Sequence, residues 1–242
     1  MLFPIGDDNS DILRFPYVTY LLIAANIVVY VLFQGTGYND AFTYAFSLVP
    51  REITTGVDIA APLVIRDSFG NRAVIPLQPT PIPVWGTILT SMFMHGSLMH
   101  ILGNMLYLWI FGDNLEDRLG HFRFAVFYLV CGVLAGLAQV FTDQNSIIPM
   151  LGASGAISGV LGGYLLLFPR RSVIAIVFFS VIQIPAVIAL GIWIAMQVFQ
   201  NYFAPPSAGG VAYMAHIGGF VAGFLLIKVF ALGTKPTPQR VF

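Results

Sequence analysis

Long apolar stretches separated by more polar segments dominate the hydrophobic pattern of this 242-residue chain. Each approaches or exceeds the ~20 residues that a helix needs to cross the ~30 Å hydrocarbon core of a bilayer. The stretches lie at residues 17–34, 97–112, 122–141, 153–168, 173–200 and 211–232. The pattern predicts an all-α polytopic membrane protein with six transmembrane helices. This membrane domain, 17–232, lies between an N-terminal segment, 1–16, and a tail, 233–242.

The longest polar segment, residues 35–95, connects the first two spans and carries several prolines near its end. Within it, APLVIRD and RAVIPL flank a Ser-Phe-Gly-Asn sequence at residues 68–71. Two short segments with β-branched residues on either side of such a turn sequence are typical of a β-hairpin. An irregular loop outside the membrane fits the same residues equally well.

Composition supports the membrane interpretation, because 57% of the residues are hydrophobic and only 9% are charged. A soluble domain carries about a quarter charged residues, which this chain lacks for covering its surface. Eleven basic residues balance eleven acidic ones, and no basic tract indicates nucleic-acid binding. The single cysteine, Cys131, lies in an apolar run and is predicted to be a buried free thiol.

The N-terminus does not resemble a secretory signal. It carries Asp7, Asp8 and Asp11 where a positively charged region belongs. No small-residue cleavage site follows the first apolar run, so that run is predicted to be a retained span.

Basic residues cluster at alternate ends of the predicted spans. They are Arg14, Arg118, Arg123, Arg170, Arg171, Lys235 and Arg240. The short loops 142–152 and 201–210, at the opposite ends, contain neither lysine nor arginine. The positive-inside rule therefore predicts that both termini are cytoplasmic.

Polar residues occur near the outer ends of spans two, four and six: His95, His100, Asn104, Ser154 and His216. At 1.5 Å per residue, three of these residues lie roughly 18 to 24 Å from the charged residues at the inner ends of their helices, namely His100, Ser154 and His216. Ionisable residues inside a membrane are expensive and usually face a partner or a water-filled cavity. One shared polar cavity, open to the outside, is the simplest arrangement.

Ser154 lies in the first turn of span four, within the sequence GASGAISGVLGG. The first backbone N–H groups of a helix have no partner within the helix and point outward with the positive end of the dipole. A hydroxyl there can attack a carbonyl while these N–H groups receive the developing oxyanion. The competing interpretation is that Ser154 only caps the helix and that the glycines only pack helices together.

His216 supplies a candidate base on span six, in the sequence AYMAHIGGFVAGF. Gly219 and Gly223 lie on its helical face and form a GxxxG motif, which permits close contact with another helix. The matching small residues of span four are Gly155, Gly159 and Gly162. Packing of these two faces would bring His216 towards Ser154. A lone histidine is more often a packing residue, but a serine at the same depth favours the catalytic interpretation.

Every Asp and Glu lies outside the apolar cores of the spans, so the sequence offers no buried carboxylate to complete a triad. Asp143, at the outer end of span three, is only a remote candidate. The sequence therefore predicts a Ser–His dyad. His100 and Asn104 are four residues apart on one helical face and can donate hydrogen bonds to an oxyanion. A zinc site is the weaker interpretation of the histidines, because no third ligand accompanies His95 and His100.

Three segments together resemble the signature segments of the rhomboid protease family. They are HGSLMHILGNMLYLWIFGDNLEDRLG, GASG and AHIGGFVAG, in the expected order along residues 92–232. None of the three is specific alone, but the combination is. The resemblance implies a rhomboid-like helical bundle in which Ser154 is the nucleophile and His216 is the general base.

The resemblance also implies roles for residues around the dyad. His100 and Asn104 would form the oxyanion hole together with the backbone N–H of the serine. Gly152 would shape the loop before the serine, and His95 would support the site without being a dyad member. Trp193 in span five resembles an aromatic residue at the lateral substrate gate.

The sequence departs from some rhomboid relatives in two places. Where they place an aromatic ring four residues after the serine, to stack on the histidine, this chain has Ser158. The orientation of His216 must then come from other packing. The first outer loop also lacks a Trp-Arg pair that some members have, and the resemblance does not extend to residues 35–90.

The implied function is serine endopeptidase cleavage of other transmembrane proteins in or near their membrane spans. The expected partners are these substrates and membrane lipids, with no metal or other cofactor, and the expected location is a bacterial plasma membrane. A non-catalytic rhomboid-like protein that binds membrane clients is the first alternative, although such members typically lack the serine or the histidine. A small transporter is the second, although the chain shows no inverted repeat.

Overall fold

The computed structural model describes residues 2–66, 72–203 and 210–234, and most of these are helical. The helices are α1 (Tyr17–Val28), α2 (Asp40–Ala45), α3 (Pro50–Thr55), α4 (Thr87–Thr90), α5 (Leu98–Leu119), α6 (His121–Thr142), α7 (Ser154–Leu167), α8 (Ala186–Phe203) and α9 (Tyr213–Phe230). The strands are β1 (Leu2–Asp7), β2 (Leu63–Arg66), β3 (Arg72–Ile75), β4 (Ser172–Val177) and β5 (Ser180–Pro185).

Among the described residues, three helices are long and apolar enough to cross a membrane, namely α6, α8 and α9. Shorter apolar helical segments run over Tyr17–Phe33, where α1 continues into a π-helical turn, over Val84–Phe93, and along α7. The predicted spans 122–141, 153–168 and 211–232 agree with α6, α7 and α9 to within two residues at each end. Their boundaries were predictable because polar or glycine-rich sequence flanks each apolar run.

Helix α5 starts at Leu98, one residue later than the predicted span 97–112, and continues beyond the predicted end to Leu119. Its last turns carry Asp113, Glu116 and Asp117, all buried because they bind the N-terminal part of the chain. The Glu116 carboxylate accepts hydrogen bonds from two backbone N–H groups in the first turn of α1, at 2.8 and 2.7 Å. A carboxylate at the N-terminal end of a helix satisfies N–H groups that have no partner within the helix.

The predicted start of span five at residue 173 is wrong. Residues 172–185 form the antiparallel hairpin β4–β5, and the helix α8 begins only at Ala186. Valine and isoleucine favour extended structure, but a continuous apolar run does not distinguish a strand from a helix by its pattern alone.

The all-α prediction also misses the strand β1 in the N-terminal segment. This strand pairs with β4, giving a three-stranded antiparallel sheet in the order β1-β4-β5. The partner strands are separated by about 170 residues of sequence, so no local pattern announces their pairing. The N-terminal segment is therefore a structured part of the fold.

The β-hairpin predicted in the long loop is confirmed, and the irregular-loop alternative is wrong there. Strands β2 and β3 pair in antiparallel register from Leu63 opposite Ile75 to Arg66 opposite Arg72. The predicted turn at 68–71 lies outside the described residues. Elsewhere the same loop packs against the bundle, where Leu48 forms a β-bridge with Met150.

Helix α7 forms the centre of the bundle, and its contact with α9 is closer than side chains would permit. A β-carbon on Gly219 would lie 2.1 Å from the backbone oxygen of Gly155, and one on Gly223 would lie 1.9 Å from that of Gly159. On the other helix, a β-carbon on Gly162 would lie 2.1 Å from the backbone oxygen of Phe220. The glycine-to-glycine contact predicted from the two motifs is therefore present, and only glycine fits it.

Candidate active site

Ser154 is the first residue of α7, at the end of the bundle opposite the three-stranded sheet. The side chain is half-buried, whereas the residues that follow it along the helix are buried. The backbone oxygen of Ser154 accepts a 2.6 Å hydrogen bond from the hydroxyl of Ser158. Ser158, which replaces the aromatic ring of some relatives, therefore bonds to the backbone of its own helix.

The imidazole of His216 lies against this serine. Its Nε2 atom is 2.7 Å from the Ser154 hydroxyl oxygen, although 62 residues separate the two in sequence. The approach depends on the glycine contact between α7 and α9, since His216 precedes Gly219 by less than one helical turn. The packing predicted from small residues thus brings the two side chains together.

The other imidazole nitrogen of His216 has a partner that the sequence analysis missed. Its Nδ1 atom lies 2.8 Å from the side-chain oxygen of Gln197, a buried residue of α8. A glutamine inside an apolar span was the available signal. Asp143, the remote candidate for this place, instead accepts a hydrogen bond from the backbone N–H of Asn145.

Trp193 lies one turn before Gln197 on α8 and faces the same histidine. Its ring centroid is 6.0 Å from that of His216 and 6.1 Å from that of Phe220, on which it stacks. The structure therefore places Trp193 beside His216, and its assignment to a lateral substrate gate stays a prediction.

His100 and Asn104 converge on the backbone just before the serine. A β-carbon on Gly152 would lie 2.7 Å from His100 Nε2 and 3.7 Å from Asn104 Nδ2. Gly152 has a φ of +126°, which L side chains rarely adopt, so both conformation and space require glycine there. Two polar side chains thus border the space beside the first turn of α7.

The tautomer of His100 follows from its second contact. Its Nδ1 atom accepts a hydrogen bond from the backbone N–H of Gly96, at 3.4 Å. In a neutral imidazole one nitrogen is an acceptor and the other carries the proton. The proton of His100 then lies on Nε2, the atom that faces Gly152. His100 is therefore arranged as a hydrogen-bond donor towards this space.

His95 is fully buried beside Asn104. Its Nε2 atom lies 2.9 Å from Asn104 Nδ2, and this contact uses one of the two amide hydrogens. The side chain of Gln34 holds the backbone of His95 through two 2.9 Å hydrogen bonds. His95 is thus placed to orient Asn104. Within the described ranges, no three His, Cys, Asp or Glu side chains are grouped as metal ligands.

Taken together, the apolar helices and the Ser–His pair recessed at one end of the bundle define a polytopic helical membrane protein with a serine-centred polar site. The rhomboid domain profile matches residues 83–232, well over half of the chain. The chain therefore belongs to the rhomboid family.

Similar proteins come from bacteria and from eukaryotes. The chain is 33% identical over 161 residues to "Rhomboid protein 1, mitochondrial" of Saccharomyces cerevisiae, covering 64% of this chain and 44% of that protein. It is 32% identical over 220 residues to "Rhomboid protease GluP" of Bacillus subtilis, covering 90% and 35%. It is 32% identical over 191 residues to "Rhomboid protease GlpG" of Salmonella choleraesuis, covering 76% and 64%. These alignments thus cover between about a third and two thirds of the length of each relative.

Proposed function

We propose that this chain is an intramembrane serine endopeptidase with Ser154 as nucleophile and His216 as general base. The observation that carries the proposal is the 2.7 Å contact between Ser154 Oγ and His216 Nε2 at the start of a buried helix. Hydrogen-bond reach between nucleophile and base is the geometric requirement for activating a serine. Two of the similar proteins are named as rhomboid proteases.

In the proposed reaction, Ser154 Oγ attacks the carbonyl carbon of a substrate peptide bond while its proton moves to His216 Nε2. The tetrahedral intermediate collapses as the C–N bond breaks, and His216 returns the proton to the departing amine. A water molecule then attacks the acyl-serine ester and gives a proton to His216 Nε2. The bond between the acyl carbon and Ser154 Oγ breaks, the carboxylic acid product leaves, and Nε2 returns the proton to Oγ. The steps follow those of other serine hydrolases, with no carboxylate in the dyad.

The oxyanion of the tetrahedral intermediate is proposed to bind beside Gly152. The donors there are His100 Nε2, the second amide hydrogen of Asn104 and the N–H groups in the first turn of α7. The convergence of the His100 and Asn104 side chains on Gly152 supports this assignment. His95 would act indirectly by holding the amide of Asn104.

The proposed substrates are transmembrane proteins that are cut in or near their membrane spans. A helical substrate must unwind locally before its carbonyl can reach Ser154, because helical hydrogen bonds satisfy the backbone in lipid. Residues with low helix propensity near the cleavage point would lower that cost.

The proposed membrane arrangement has six spans, formed by α1 with its π-helical turn and by α5 to α9. Both termini would be cytoplasmic, which follows from the lysine and arginine distribution. The bacterial plasma membrane stays a prediction, since the similar proteins include a mitochondrial one.

The test is incubation of the purified protein, in lipid, with a single-span substrate and with its Ser154→Ala variant in parallel. We expect cleavage products from the wild-type protein and only background from the variant. Equal cleavage by both would refute the assignment of Ser154. A folded wild-type protein that binds substrates of several sequences without cutting them would favour a non-catalytic client-binding protein.

A further inference from the structure

Gln197 is the one polar side chain that the structure buries along an otherwise apolar stretch of α8. Its neighbours on the same helix, among them Ile192, Met196 and Val198, are exposed on the outside of the bundle. The helix thus presents apolar residues outward and turns an amide inward. A polar side chain in a membrane helix is normally directed at a partner, because lipid offers no hydrogen bonds.

That partner is the imidazole of His216. In the part of the chain that the structure describes, Gln197 is the side chain that bonds to His216 Nδ1, at 2.8 Å. An amide oxygen is only an acceptor, so the nitrogen facing it must carry the proton. Nε2 is then the unprotonated nitrogen, and it faces the hydroxyl of Ser154 at 2.7 Å. This is the tautomer that a general base requires.

We propose that Gln197 is the positioning residue of the dyad, which fixes the tautomer and the ring orientation of His216 from helix α8. The proposal rests on the proposed function, because it assigns a role towards the same base. Trp193, on the same face of α8 one turn earlier, limits rotation of the ring from the side. The pair takes the place of the aromatic ring that Ser158 does not provide.

A neutral amide affects the charge of the imidazole differently from the carboxylate of a Ser–His–Asp triad. A carboxylate would stabilise the protonated imidazole by its charge, whereas an amide holds the ring in place without that charge. The dyad can therefore be oriented without a buried carboxylate, which would be costly in this apolar setting. Because Gln197 lies on α8 and His216 on α9, the orientation of the base depends on the packing of these two helices.

The experiment compares three substitutions within the full-length protein in lipid, each assayed for cleavage of the same single-span substrate across pH. Gln197→Met keeps the length of the side chain but removes the acceptor. Gln197→Glu keeps an acceptor and adds a charge. Gln139→Met is the matched control, since Gln139 also bonds to the start of α9, at the Ala215 N–H, 3.2 Å away, but does not contact the imidazole.

We expect Gln197→Met to lower kcat by about 10- to 100-fold with little change in KM, because the ring loses its fixed tautomer and position. Gln197→Glu should recover most of the activity, and the acidic limb of its pH profile should move to higher pH. The added carboxylate favours the protonated imidazole, which cannot accept the serine proton. Gln139→Met should leave the pH profile of the wild-type protein unchanged.

A spectroscopic measurement reports the tautomer directly. The chain has four histidines, so ¹⁵N-histidine labelling and the His216→Ala variant together assign the signals of His216. Wild-type protein should show a protonated Nδ1 on His216, and Gln197→Met should show a mixture of both tautomers.

The proposal is overturned if Gln197→Met retains the wild-type kcat and Gln197→Glu retains the wild-type pH profile. It is equally overturned if His216 carries its proton on Nε2 in the wild-type protein. These outcomes differ from failure of the proposed function, in which wild-type protein and Ser154→Ala give the same background rate. If Gln197→Met does not fold, the pH profile of Gln197→Glu and the tautomer of the wild-type protein still decide the matter.

Discussion

The alanine substitution of Gly223 tests whether the glycine contact between α7 and α9 holds the Ser–His pair together. The new β-carbon would start 1.9 Å from the backbone oxygen of Gly159. Reaching ordinary contact at about 3.4 Å requires the helices to separate by roughly 1.5 Å. If α9 moves as a rigid body, the 2.7 Å distance between Ser154 Oγ and His216 Nε2 lengthens to about 4 Å, beyond a hydrogen bond.

A displacement of about 1 Å at a reacting pair typically costs on the order of 10²-fold in rate, and overpacking a core costs about 1–3 kcal/mol in stability. We therefore expect Gly223→Ala to lose at least about 100-fold in substrate cleavage and to melt at a lower temperature. Gly163→Ala should be milder, because its nearest contacts, at 3.1 Å, are ends of side chains that can move.

Gly191→Ala is the matched control, since a β-carbon on this helical glycine meets nothing within 4 Å. It should be neutral or slightly stabilising, as alanine favours a helix by about 1 kcal/mol over glycine. Cleavage assays and thermal melts of the three variants in the same detergent provide the comparison. Wild-type activity and melting temperature in Gly223→Ala would refute the packing argument.

Three further predictions concern other parts of the molecule. Burial, and then the neighbouring Asp113 carboxylate, raises the pKa of Asp7 to about 8. The folded state therefore keeps a proton that the unfolded state releases, and stability should fall as pH rises from about 4 to 8. Asp7→Asn should flatten this part of a plot of melting temperature against pH, and parallel plots for both proteins would contradict the argument. Asn104→Ala should leave cleavage measurable but reduced by about 10²–10³-fold, as loss of one oxyanion donor does, and an unchanged rate would remove Asn104 from the oxyanion site. Reporter fusions after residues 120 and 171 should be cytoplasmic and fusions within 145–150 external, and the reversed pattern would disprove the proposed topology.

Much of the helical bundle was predictable because its signals are local. The apolar runs that became α6, α7 and α9 have the length of a span and end at polar or glycine-rich sequence. The strand pairing of β1 with β4 was not predictable, since it joins residues about 170 positions apart in the sequence. The apolar residues 173–185 fit a helix as well as a strand until that distant partner is known.

The same distinction applies to the candidate site. Ser154 and His216 could be paired from sequence because each lies next to glycines at helical spacing, and such faces pack closely. Gln197 could not be placed, because nothing in an isolated apolar run says which face of α8 meets α9. The family resemblance pointed to His95 as a supporting residue. Its hydrogen bonds to the Asn104 side chain and, through its backbone, to Gln34 could not be predicted, because they depend on tertiary packing.

The most direct measurement is labelling of the detergent-solubilised protein with a fluorophosphonate, followed by mass spectrometry of the adduct. An ordinary membrane serine is too weak a nucleophile to react at a useful rate, whereas an adjacent base and a preformed oxyanion site make it reactive. We expect one adduct, on Ser154, that disappears in Ser154→Ala and forms far more slowly in His216→Ala. His121→Ala, whose histidine is the first residue of α6, should label normally. Folded, monodisperse protein without an adduct on Ser154, or labelling of His216→Ala at the wild-type rate, would contradict the dyad.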